Sequence, residues 1–154
     1  MMDRLFAWLK DDEGNVSRAG PDALQLAVAA LLLEAAVVVD GHFDPQEREV
    51  VRRVLQRAFS LSSDDAQALV AAAERRVDAS AQLFGFTSTV NERVNRERKI
   101  EIIEMLWEVA YADGVLDPEE DLLIRRIAGL IAVTDRERVL ARQRVVAKLG
   151  LTSL

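Results

Sequence analysis

Val39-Asp40-Gly41-His42-Phe43-Asp44-Pro45-Gln46-Glu47 and Ala112-Asp113-Gly114-Val115-Leu116-Asp117-Pro118-Glu119-Glu120 are two copies of one pattern, set a constant 73 residues apart. The register holds downstream, where Val50-Val51-Arg52-Arg53-Val54 meets Leu123-Ile124-Arg125-Arg126-Ile127. In each copy a glycine, free to take positive φ, follows an apolar helical run. Asp-Pro then opens a second helix, with proline at the first helical position. A glutamate three residues after that aspartate completes a capping box, with Asp where Ser or Thr is usual. Each copy therefore reads as a helix, an acidic turn and a second helix. Neither hairpin can bury its apolar faces alone. The pattern predicts an all-α chain: a compact bundle of about eight helices built from two pseudo-symmetric helical hairpins.

Outward from the repeat, periodicity stays helical, with no sustained period-two alternation. The spacing predicts helices over 3–10, 21–39, 45–59, 63–79, 81–93, 96–112, 118–131 and 135–149. Gly20-Pro21 is read as the start of the second, Ser62 or Ser63 as the cap of the fourth, Asn95 of the sixth and Thr134 of the last, with Gly150 as its terminator. Leu26 to Val39 is apolar apart from Glu34, but at 14 residues it is too short to span a bilayer and reads as a core helix. Residues 1–20 read as a short helix and an acidic linker, residues 21–154 as the domain proper. Leu5, Phe6 and Trp8 form an apolar ridge on that first helix, expected to pack on the core, with a partner-binding arm as the other reading. No export signal is recognisable at the N-terminus, which makes the cytoplasm the default compartment.

Composition removes whole classes of function. The chain has 154 residues, no cysteine and one histidine, His42. Thiolate metal sites, disulfides, thiol catalysis and any site with two imidazoles are excluded. A net charge of −6 argues against nucleic acid as a partner. No Gly-x-Ser-x-Gly elbow, phosphate loop or dinucleotide fingerprint is present, so no catalytic residue is assigned.

What remains is the acids. Asp44 and Asp117 as caps, with Glu47 and Glu120 closing the boxes, have a complete structural explanation. Asp40 and Asp113 are harder to explain, because an acid in the last turn of a helix opposes its dipole. On a helical wheel Glu97, Glu101, Glu104 and Glu108 share one stripe, read as facing solvent. Asp113 projects opposite them with Ile102, Leu106 and Val109, hence inward if the helix persists. Two readings stand: each aspartate bonds the backbone of its own turn, or three carboxylates in each turn hold a hard cation. The spacing is neither an EF-hand nor a Glu-x-x-His di-iron site.

At Trp107-Glu108-Val109-Ala110-Tyr111-Ala112-Asp113-Gly114-Val115-Leu116-Asp117-Pro118-Glu119-Glu120, followed by Ile124-Arg125-Arg126-Ile127-Ala128, the chain resembles the TerB-like domain of tellurite-resistance proteins. The copy around Asp40-Gly41 fits the same pattern, and the resemblance covers roughly residues 21–149. It implies an all-helical, bacterial, non-enzymatic module in stress response. It also implies binding of a divalent cation, which hard oxygen ligands would make Mg²⁺, Ca²⁺ or Mn²⁺, and engagement of a protein partner in membrane-linked complexes, peripheral to the inner membrane. Carried over, the metal residues are Asp40, Asp44 and Glu47, with Asp113, Asp117 and Glu120. His42 and Gln46 break the match between the copies.

Two other readings stand beside this one: a structural protein-interaction domain whose turns are caps only, and a hydrolase using clustered carboxylates. Arg136, Arg138, Arg142, Arg144 and Lys148 make the last helix basic, which reads as a solvated or internally ion-paired face rather than an anionic-membrane contact. The partner's identity and the oligomeric state, homo-oligomer included, are not legible.

Overall fold

The computed structural model describes residues 22–79 and 83–151, and the expected first helix and the Asp11–Gly20 linker lie outside them. Seven helices fill the described residues, with no strand among them: α1 Ala23–Val37, α2 Pro45–Phe59, α3 Ser63–Ala79, α4 Leu83–Arg93, α5 Arg96–Ala110, α6 Pro118–Leu130 and α7 Asp135–Lys148.

A helix that is apolar all round must be surrounded, and α1 is. Glu34 is its one charged residue, and Leu24, Ala27 to Leu33, Ala35 and Ala36 are all buried. Five helices, α2 to α6, pack around it. An acidic turn joins α1 to α2 and another joins α5 to α6, and the core is organised by α1, with α3, α4 and α7 completing the shell. Small side chains let this happen, because alanines at 27, 29, 30, 35 and 36 allow neighbouring backbones to approach.

Local chemistry sets the helix ends. Asn95 and Thr134 cap α5 and α7, Ser62 Oγ accepts from Asp65 N at the head of α3, and Gly150 follows α7 at φ 73°. The start expected at Gly20-Pro21 falls later. Asp22 is the cap of α1, accepting from Leu24 N at 2.9 Å and pairing with Arg93 at 3.3 Å. Proline fixes a backbone angle but cannot satisfy the orphan N–H groups of a first turn; a carboxylate can.

Candidate functional site

Both repeat turns close as the spacing requires. Gly41 sits at φ 77° and Gly114 at φ 86°, donating back to Val37 and Tyr111 carbonyls at 2.8 Å each. Glu47 N donates to Asp44 Oδ1 at 2.8 Å, and Asp44 N donates to Glu47 Oε1 at 3.1 Å. In the second copy Glu119 N donates to Asp117 Oδ1 at 2.8 Å and Asp117 N donates to Glu120 Oε1 at 3.0 Å.

The inward projection expected for Asp113 is overturned. α5 stops at Ala110, so the helical phase no longer applies three residues later. Asp113 is exposed, and its Oδ1 accepts from Val115 N at 3.0 Å. Asp40 does the same in the first copy, accepting from His42 N at 2.9 Å, and His42 is exposed. All six candidate carboxylates, Asp40, Asp44, Glu47, Asp113, Asp117 and Glu120, thus accept a hydrogen bond from the backbone of their own turn.

The solvent-facing stripe of α5 is corrected as well. Glu97 is exposed, but Glu104 meets Arg144 at 2.7 Å, and Glu108 accepts from Arg57 at 2.6 and 2.8 Å and from Lys148 at 3.4 Å. α7 packs along α5 and brings Arg144 and Lys148 onto those acids, so part of the basic last helix is an internal ion-pair partner, while Arg136 is exposed. Arg138, counted with that basic face, is buried beside Asp135.

The turns do not stand apart. The N-terminus of α2, the C-terminus of α5 and the N-terminus of α6 meet around a cavity of about 150 Å³. Asp44 and Glu47 line it from the first copy, Asp113 and Glu120 from the second, over an apolar base of Val50 and Val109. Asp40 and Asp117 lie off the cavity but act on it electrostatically, Asp40 on Glu47 and Asp117 on Glu120. Burial pushes the half-buried Glu120 carboxyl from 4.5 up to about 7, with Asp113, Asp117 and Glu47 adding repulsion against its cap bond. Burial also raises Glu47, helped by Asp44, Asp40 and Asp113. Each glutamate therefore feels charge from the other copy's turn.

The donor chemistry suits a hard divalent cation: oxygen only, anionic and crowded. The geometry as it stands is looser. Among the described residues no three acidic or imidazole side chains are gathered closely enough to hold a metal ion. Spacing alone revealed the six acids but not the convergence of four of them, nor the cavity residues Gln46, Val50, Val109, Ala110 and Ala112. The repeat was the available signal, since two equivalent turns on adjoining helices can be brought face to face.

Among the described residues no helix is long and apolar enough to cross a membrane. A family model described as Tellurite resistance protein TerB matches residues 25–143, more than half of the chain and inclusive of both turns. No curated protein and no solved structure matches.

Proposed function

The chain belongs to the TerB family, and on that premise we propose that it is a non-catalytic stress-response module, in the manner of tellurite resistance, that binds one divalent cation between its two acidic turns and engages a protein partner. The observation that carries this reading is the shared cavity. Capping accounts for each carboxylate singly, but it does not account for Glu47, Asp113 and Glu120 being placed where they repel one another. A cation would remove that repulsion. Glu47 and Glu120, each with an oxygen beyond the one spent on its cap, would hold it with Asp113 and Asp44, while Asp40 and Asp117 hold the turns in shape.

A second reading, a structural interaction domain whose turns are only caps, is favoured by the six completed turn bonds and by the absence of a ready three-residue group among the described residues. Thermal melts separate the two. Millimolar Ca²⁺, Mg²⁺ or Mn²⁺ should raise the melting temperature of wild type over chelator, since ligand at ~100 times its Kd adds ~2.7 kcal/mol. Asp113→Asn should lose most of that gain. Asp117→Ala should cost ~1 kcal/mol with metal or without, as a lost cap does. Identical wild-type curves in chelator and in all three cations would leave the turns as caps.

A further inference from the structure

Beside the acidic cavity, and sharing Val50 and Ala112 with it, lies a larger groove of about 410 Å³ between α2, the end of α5 and the stretch after α7. Its floor is apolar, with Val54 buried, Leu151 partly covered and Leu149 41% exposed. Its rim is cationic: the side chains of Arg53, Arg57 and Lys148 are 63%, 49% and 49% exposed. Glu108 at the base takes both Arg57 and Lys148, which still leaves the groove net positive. Arg53 reaches no closer than 3.8 Å to Glu49 on its own helix. An open groove with an apolar floor and a positive rim fits a segment that is apolar on one side and acidic beside it.

The chain carries such a segment. Leu5, Phe6, Trp8 and Leu9 recur at helical spacing and are followed at once by Asp11-Asp12-Glu13, all outside the described residues. We propose that this N-terminal arm docks in the groove of its own chain, its apolar residues on Val54, Leu149 and Leu151 and its acidic run against Arg53, Arg57 and Lys148. Reach is sufficient. The eight residues from Gly14 to Pro21, between the acidic run and Asp22, can extend ~26–29 Å. The 15 residues of α1 rise only ~22 Å, so either end of the bundle is accessible from Asp22. The pocket nearer the attachment point, lined by Leu26 and Phe86, has about 150 Å³ and a single cation, Arg76, and so matches the acidic run less well.

Because the chain has no cysteine, one nitroxide can be placed on the full-length protein through Ala7→Cys, off the apolar ridge. Docking predicts that the amides of Arg53, Arg57 and Leu149 lose most of their intensity, while those of Phe84 and Thr89 keep theirs. Arg53→Glu should abolish that selective loss, and adding Asp12→Lys should restore it. The proposal is overturned by uniform or absent broadening, by broadening centred on Phe86, or by a pattern that ignores Arg53→Glu. It is equally overturned if the loss appears only between molecules, in a mixture of nitroxide-bearing and isotope-labelled chains, which would assign the groove to a second copy's arm.

Discussion

Glu120 does two things that conflict. Its Oε1 accepts from Asp117 N and secures the head of α6, yet it lies where burial and three other carboxylates oppose its charge. Its folded value of about 7 stands above the ordinary 4.5, so the folded chain keeps this proton after the unfolded chain has released it. The favourable contribution is intact below about pH 4.5 and is lost as pH rises through about 7. Glu120→Gln keeps an oxygen for the cap and removes the charge. It should stabilise the metal-free protein by ~1 kcal/mol at pH 8, a value reduced for solvent screening of a half-exposed group, and by nothing measurable at pH 4.5. Urea unfolding at the two pH values reads the difference directly; an equal effect at both would remove the electrostatic explanation.

At the scale of elements, ion pairs link α7 and α2 to α5. Glu108, with its side chain only 11% exposed, receives Arg57 in a forked contact and Lys148 besides, so three helices meet at one carboxylate. Glu108→Ala leaves two cations without their partner and should cost ~1–2 kcal/mol. Glu97→Ala, one exposed position on the same helix, should fall within ~0.5 kcal/mol of wild type. Denaturant melts of the two variants distinguish an acid that joins helices from one that only faces water. The end of α6 shows a different limit. Ala132 sits at φ 63°, a left-handed position where glycine would be expected, and nothing in the local sequence announces it.

For the molecule as a whole, α1 is the part on which the others depend. Leu32 is fully buried within it, in a helix touched by five others. Leu32→Ala should cost ~2–5 kcal/mol, the range for a leucine deleted from a core that cannot collapse around the gap. One cooperative transition with an unchanged denaturant slope is expected, because every helix that packs on α1 shares its loss. A second transition, with α5–α7 surviving alone, would show that the two repeat units fold independently.

Local signals were enough for the helices. α2 and α3 begin and end where the spacing put them, and Asp44-Pro45, Asp117-Pro118, Asn95 and Thr134 start their helices by chemistry contained in four residues. The glycine turns and both capping boxes belong to the same class. Asp113 failed as an inward group because one helix ended two residues sooner than periodicity allowed, and the direction of every later side chain depends on that end. Glu104 and Glu108 failed for another reason: a helical wheel fixes which residues share a face but not which helix will lie against it. The amino-acid sequence by itself determined the bounds of α2 and α3, the caps of α2, α5, α6 and α7 and the six acids of the paired turns, all set by neighbours within a turn or two. Only the tertiary structure decided that Glu47 and Glu120, 73 residues apart, would share one cavity, because that depends on how α2, α5 and α6 pack, and burial and distance act between residues that the chain itself keeps far apart.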